Sequence, residues 1–483
     1  MEIFGKYIVP ENCLDEVYNR HKNCVNDEYK SILKIFESMS FAQFEKLNDV
    51  IKLSFFNQGI TYQVYSDKST KEHIFPFDSF PKIIQNQEWN KIEKGVLQRS
   101  RALNMFLKDV YNGQKIFKDK VVSKEMILSS PHYCKHIVDF APKGDIYCHI
   151  NGTDLIKNND GENYVLEDNL RSPSGVSYVL SNRIALKKAM SDLFANYAIE
   201  PVWDYPYKLL EMMKSVSPRN IENPICVVLT PGMYNSAYFE HMYLAQQMGI
   251  ELVEGRDLLV KDNNVFMQTT KGLIKIDVIY RRIDDDFLDP ECFRADSILG
   301  VKGLMRAYLN GNVTLINAPG TGVADDKAIY HYVPQIIKYY LGEEPILNNV
   351  HTYICSEKSD LNYVLENVDK LVVKPVDMSG GYGITIGDKL TKEEILAVQE
   401  KVKANPRNFI AQPIMRLSTH ATYIDTEKIF DTRHIDLRTY ALIGSNFEYV
   451  LKGGLTRVAL KKGSLIVNSS QGGGSKDTWV IEN

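Results

Sequence analysis

The stretch LVVKPVDMSGGYGITIG, residues 371–387, sets an apolar run, a lysine and a glycine-rich turn in succession. Lys374 and Pro375 end the run, and Gly380, Gly381, Gly383 and Gly387 follow among small and β-branched residues. This pattern predicts a strand leading into a glycine hairpin. A Walker A loop carries its lysine after the glycines, as GxxxxGK[ST], and no such loop occurs here. With the lysine first, its ammonium can reach a phosphate from the strand while bare backbone N–H groups fold over it. A flexible hairpin beside a solvated lysine is the competing reading.

Upstream, residues 137–185 form a second region of interest. Asn158, Asn159, Asp160 and Gly161 are a turn cluster between two apolar stretches, which predicts a hairpin. Glu167 and Asn169 are two apart on its second strand and share a face. Asp154 comes from the first strand, at a separation that suits pairing across the turn. Two carboxylates and an amide oxygen suit a hard cation such as Mg²⁺, which leaves positions for water and phosphate oxygens. The competing reading is a polar strand face. Asp168 points the other way. Arg171 in LRSPSGVSY continues the face of Glu167 and Asn169 if the strand persists, where it could clamp an anionic oxygen or pair with Asp168.

Toward the C-terminus, Asp436 and Arg438 share one strand face in RHIDLRTYALI. Arg457 follows Gly453 and Gly454 on the next strand, and GGGSK could close over a site. Arginines on adjacent strands near a glycine-rich tail suggest anion chemistry, although surface strands often carry them. His132 and His136 flank Cys134 at zinc-like spacing, but no fourth ligand accompanies them and a structural role is preferred. There is no GxSxG elbow. YRRIDDDF, residues 280–287, reads as a strand end and a solvated turn, with Arg281 and Arg282 as candidate partners of a substrate carboxylate.

A chain of 483 residues suggests roughly two to four domains. The net charge of −4 lacks the basic excess of a nucleic-acid binder. Seven cysteines, an odd number without a CxxC, fit free thiols in a reducing compartment. No leader pattern and no apolar run of about 18 residues occurs. The expectation is a cytoplasmic protein without a membrane anchor.

Residues 1–130 are expected to be mainly helical, from apolar spacings of three and four in SILKIFESMSFAQFEKLNDVIKLSFF. Residues 131–224 carry the hairpin, with helical character returning from Asn182. Residues 225–345 read as a Rossmann-like α/β unit with strands at ICVVLT, IELVEG, IDVIYRRI and VTLINAPG, and a closing helix from about Asp326 to Tyr340. It lacks GxGxxG, so a dinucleotide is not indicated. Residues 346–483 alternate strands and turns around one clear helix at 391–404, which Thr391 and Glu394 cap.

Taken in order, these motifs resemble the ATP-grasp superfamily in its circularly permuted branch, related to glutathionylspermidine synthase. The resemblance rests on YVLEDNLRSPSGVSY, NAPGTGVADDKAIYHYVP, VVKPVDMSGGYGITIG, FIAQPI, DLRTYAL and GGLTRVALKKGSLIVNSSQGGGSKDTW, and spans about residues 135–483. EDN precedes the nucleotide lysines here, whereas in unpermuted members the metal motif follows them. The resemblance implies an α/β ATP-grasp fold preceded by a substrate-holding Rossmann-like domain. It implies Asp154, Glu167 and Asn169 as Mg²⁺ ligands, and Lys327 and Lys374 as the lysines on the ATP phosphates. Gly380, Gly381 and Gly383 would belong to the lid, and Gln412 to the segment reading adenine. Arg171, Arg438 and Arg457 would be catalytic, near the transferred phosphoryl and acyl groups. The implied activity is ATP-dependent carboxylate–amine ligation through an acyl phosphate, on small-molecule or peptide substrates. A small-molecule phosphotransferase and a non-catalytic ATP-binding scaffold are the alternatives. These residues hold no counterpart of the amidase domain of bifunctional glutathionylspermidine enzymes, so spermidine is not carried over as the acceptor.

Overall fold

The structure is a computed structural model and describes residues 7–62, 73–195, 197–377, 382–467 and 473–482. Helices α1 (Lys30–Ser38) and α2 (Phe41–Asn57) form where the apolar spacing predicts helix. Ser40 divides them: its hydroxyl accepts from the Gln43 N–H, and the Gln43 side chain accepts from the Ser40 N–H. Strand β1 (Phe77–Gln85) then runs directly into helix α3 (Asn86–Tyr111). β1 is the one long strand described among these helices, and it belongs to the largest sheet.

The expected hairpin is present as β2 (Ile150–Lys157) and β3 (Asn163–Asn169). Its turn uses Gly161 at φ +80°, a conformation that favours glycine. Helix α4 (Val176–Ala189) begins before Asn182 because a distant residue caps it. Glu240 Oε2 accepts from the N–H groups of Gly175 and Ser177, at 2.7 and 3.1 Å.

The Rossmann-like unit holds β4 (Cys226–Leu229), α5 (Tyr238–Met248), β5 (Glu251–Val253), β6 (Val278–Arg281) and β7 (Thr314–Ile316). All four strands are parallel, in the order β7-β6-β4-β5. The connectivity therefore reverses between β4 and β6. Arg281 and Arg282, expected at a strand end as candidate partners of a substrate carboxylate, are buried, at 1% and 6% exposure. Arg281 pairs with Asp285 at 2.7 Å and Arg282 with Glu240 at 2.9 Å, so each charge is matched by a carboxylate.

The helix expected over Asp326–Tyr340 is broken into α6 (Lys327–Tyr330) and α7 (Val333–Leu341). Pro334 lies in the first turn of α7 and has no N–H with which to continue α6. Strand β8 (Leu371–Pro375), helix α8 (Lys392–Ala404) and strand β9 (Phe409–Pro413) follow. Thr391 and Glu394 cap α8 reciprocally, as expected. β8 and β9 pair antiparallel in a four-stranded sheet with two short strands, Tyr353–Ile354 and Thr385–Ile386.

The last long strands are β10 (Ile429–Arg438), β11 (Leu455–Val458) and β12 (Gly474–Ile481). They complete a ten-stranded sheet whose path runs β3-β2-β10-β11-β12-β1. β12 and β1 pair in parallel, so the two ends of the chain close the same edge. Asn317, just past β7, fastens the Rossmann-like unit to this sheet. Its oxygen accepts from the N–H groups of His149 and Ile150, at 2.7 and 2.8 Å. Its amide donates to the carbonyls of Ile150 and Leu170, at 2.8 and 2.7 Å. No helix among the described residues is long and apolar enough to cross a membrane.

Candidate functional site

A cleft of about 930 Å³, counting its open mouth, lies between the ten-stranded sheet and the β8–β9 sheet. Asp154, Glu167, Lys327, Lys374, Gln412, Asp436 and Arg457 all line it. Its apolar walls come from Leu166, Val372, Ile384, Ile386, Met415 and Leu417.

Asp154 on β2 sits directly opposite Glu167 on β3 and Arg438 on β10. Arg438 donates to Asp154 through Nε and Nη2, at 2.6 and 2.8 Å, and its Nη2 lies 3.9 Å from Glu167. Its Nη1 donates to the Ser174 carbonyl at 3.3 Å. Arg457 lies opposite Asp436 in the next register. It donates to Asp154 at 2.7 Å and to both oxygens of Asp436, at 2.8 Å for Oδ1. Burial opposes the ionisation of Asp154, yet Arg438 and Arg457 outweigh it and hold the carboxyl well below the usual range.

Lys327 enters from the first turn of α6, and its Nζ lies 3.3 Å from Glu167 Oε2. Lys374 Nζ donates to Gln412 Oε1 at 2.6 Å, and Gln412 Nε2 donates to Thr352 Oγ1 at 2.9 Å. Burial pushes the Lys374 ammonium down to about 8; Glu167 opposes the shift, and Lys327 adds to it. A cationic pair beside an open cleft suits a polyanionic ligand.

The expected metal ligands fit a hard cation by donor type: Asp154 and Glu167 are cross-strand neighbours and Asn169 is two residues further on. Asn169 Nδ2 is spent on the Gly152 carbonyl at 3.0 Å, which makes its oxygen the atom available to a cation. Among the described residues no group of three His, Cys, Asp or Glu side chains could hold a metal ion by itself. The His132 and His136 pair makes no metal cluster; His136 Nε2 meets the Cys292 carbonyl at 3.0 Å.

Two expectations change. Arg171 does not continue the face of Glu167, because β3 ends at Asn169. The Leu170 N–H and Arg171 Nε both turn to Asp325, at 3.1 and 2.5 Å, and Arg171 does not line the cleft. Nor does Arg171 pair with Asp168, whose partner is Arg99 on α3. Gly380 and Gly381 lie outside the described residues. Gly383 is described at φ +72°, between the cleft-lining residues Tyr382 and Ile384. Gly387 has a packing reason: a side chain there would collide with the Val368 carbonyl.

Sequence reasoning missed Thr352, which orients Gln412, and the wall formed by Leu465, Ile466 and Val467. The SLIV tetrapeptide after the polar KKG turn was the available signal for that wall.

Comparison with known proteins agrees with this architecture. A family model described as circularly permuted ATP-grasp type 2 matches residues 81–459. An uncharacterized protein of Synechocystis sp. is 52% identical over 435 residues, 90% of each chain. One from Mycobacterium tuberculosis is 46% identical over 99% of this chain and 86% of its own length. A protein of Frankia alni named a putative glutamate–cysteine ligase is 37% identical over 96% of this chain but only 53% of its own. The structure of a glutathione synthetase-like effector from Globodera pallida matches 92% of this chain and 98% of its own. The TM-score is 0.57 at 9% identity, a likeness of fold alone. Family match, relatives and fold agree, and the chain belongs to the circularly permuted ATP-grasp type 2 family.

Proposed function

We propose that this protein is an ATP-dependent carboxylate–amine ligase that works through an acyl phosphate. The observation that carries the reading is the meeting of Glu167, Lys327, Lys374 and the Asp154–Arg457 pair in one cleft. Phosphoryl transfer needs positioning and charge neutralisation more than covalent help from the protein. Lys327 and Lys374 supply fixed positive charge for the triphosphate. Asp154, Glu167 and Asn169 would hold Mg²⁺, which when bound adds further charge neutralisation on the phosphate oxygens. The apolar wall from Leu166 to Leu417 suits the flat face of a base, beside the segment that begins at Gln412.

In this mechanism a substrate carboxylate oxygen attacks the γ-phosphorus and ADP leaves. An amine then attacks the acyl carbon, inorganic phosphate departs and the nitrogen loses its proton. Arg457 suits the oxyanion of that second step better than Arg438 does. Arg438 donates from all three of its nitrogens, whereas among the described residues Arg457 uses Nε and Nη2 and keeps Nη1. One well-aimed donor of this kind is typically worth roughly 10²–10³ in rate. Arg438 is then a positioning residue for Asp154. The apolar walls exclude water that would hydrolyse the acyl phosphate.

The test is isotope transfer. The protein is incubated with ATP, Mg²⁺, amines and carboxylic acids labelled with ¹⁸O in the carboxyl group. A ligase of this kind moves one ¹⁸O into the released phosphate and yields ADP and an amide. A phosphorylated product with no amide would support the phosphotransferase reading instead. Nucleotide binding without turnover of any substrate would support the scaffold.

A further inference from the structure

Lys327 and Lys374 reach the cleft from different elements, and one short segment, residues 348–354, holds the supports of both. Asn348 and Asn349 pair with β3 in the ten-stranded sheet, while Tyr353 and Ile354 pair with β9 in the four-stranded sheet. The segment is therefore a strap between the two sheets that enclose the cleft. It also grips the end of α6, the short helix that begins with Lys327. The Asn349 side chain donates to the Tyr330 carbonyl at 2.8 Å, and the Val350 N–H donates to the Tyr330 hydroxyl at 2.7 Å. His331 follows α6, and its Nδ1 meets the Thr352 carbonyl at 2.7 Å. A carbonyl only accepts, so this nitrogen carries the ring proton of the contact.

Thr352 sits where the strap passes from one sheet to the other, and it is 2% exposed. Its hydroxyl has a single proton, which it donates to the Val350 carbonyl at 3.0 Å. Toward Gln412 the hydroxyl can then only accept. The Gln412 amide must turn its nitrogen to Thr352, at 2.9 Å, and its oxygen to Lys374, at 2.6 Å. Gln412 is also 2% exposed, and among the described residues Thr352 Oγ1 is the one acceptor of its Nε2. The reverse orientation would set an NH₂ group against an ammonium. Thr352 thus fixes the polarity of the amide that Lys374 meets, and that amide holds one ammonium N–H and leaves the others to a ligand.

We propose that Thr352, which does not line the cleft, is a positioning residue of the nucleotide site. Through Gln412 it aims the Lys374 ammonium, and through its carbonyl it ties the helix of Lys327 to the same strap, so that the two charges keep one spacing. This deepens the ligase reading and rests on it, because the spacing matters only where both ammoniums meet one triphosphate. Donors held in place beforehand need no reorganisation when the polyanion arrives.

The test is a mutant cycle on the full chain, read by calorimetric binding of AMP-PNP, a non-hydrolysable ATP analogue, with Mg²⁺ present. T352V removes the hydroxyl and keeps the branched shape, and T352A removes it without crowding. Both are expected to weaken AMP-PNP binding about tenfold, the usual scale for one hydrogen bond that serves a charged group. T352S is expected to bind within twofold of wild type. Q412L leaves no amide to orient and K374M no ammonium to aim, so adding T352V or T352A to either is expected to cost less than twofold. A purely structural Thr352 would give another pattern, with the same cost in every background. That pattern, or wild-type affinity in T352V and T352A, would overturn the inference and leave the ligase reading standing. Binding by T352S as weak as by T352A would overturn the role of the hydroxyl. Failure of the wild-type chain to bind AMP-PNP would remove the ligase reading and this inference with it.

Discussion

At the residue scale, Lys374 makes the sharpest statement. An ammonium buried to a pKa of about 8 is charged below that pH and neutral above it. Nucleotide affinity is therefore expected to fall as pH rises through about 8, approaching tenfold per pH unit well above it. Folding stability should move the other way. Between pH 8 and the ordinary lysine value the unfolded chain holds more protons than the folded one, so raising the pH stabilises the fold. Calorimetric titration of AMP-PNP across pH 7–10 checks the first trend. K374R keeps its charge throughout and is expected to lose the pH slope. Glu167 gives a second prediction. Its carboxylate meets Lys327 and is 26% exposed, so E167Q should fold normally. In wild type, Mg²⁺ should tighten ATP binding by about tenfold or more, and in E167Q that ratio should fall close to one. Fluorescent-nucleotide titrations with and without Mg²⁺ measure it; an unchanged ratio would remove Glu167 from the metal site.

At the scale of elements, what the sequence made legible depended on how local the cause was. The β2–β3 hairpin could be read because its turn cluster and both strands lie in one short stretch, although the bulge between Asp154 and Leu155 that sets Asp154 opposite Glu167 could not. The α8 cap could be read for the same reason. The end of β3 could not, because Asp325 sets it from far along the chain. Nor could β1: Pro81 interrupts its pattern, and the pairing with β12 shifts register across it, as an edge strand allows. The site's support shows the same limit. Asp168 alternates away from the cleft, as its position predicts, yet its partner Arg99 lies in α3. Arg99 and Asp168 are both nearly inaccessible, at 1% and 2% side-chain exposure, and Thr153 adds a hydrogen bond to Asp168 at 3.0 Å. R99M removes one charge and strands the other in the interior, so a loss of about 3–5 kcal/mol is expected. Urea unfolding monitored by circular dichroism measures it, and a loss below about 1 kcal/mol would show that water reaches Asp168 instead.

At the scale of the whole molecule, the permuted order has a mechanical consequence. Metal-side carboxylates from β2 and β3, lysines from α6 and β8, and Arg457 from β11 reach one cleft, with Arg438 of β10 holding Asp154, only when the ten-stranded sheet is complete. That sheet is closed by strands from opposite ends of the chain: β12 lies between β11 and β1, with Ser475 beside Phe77 and Ile481 beside Gln85. β12 also carries buried charge. Lys476 pairs with Asp78 on β1, and Asp477 pairs with Arg183 on α4 at 2.8 Å. Removing residues 474–483 would therefore strip a central partner from two strands and leave Asp78 and Arg183 without their counterions. Contacts between such distant segments form late in folding, and their loss is not repaired locally. The truncated chain is expected to lose its cooperative thermal transition and to associate through the opened β11 and β1 edges. Scanning calorimetry with size-exclusion chromatography measures both. A monomer with an unchanged transition would mean that β1 and β12 are an appendage and that the site is held by the remaining strands alone.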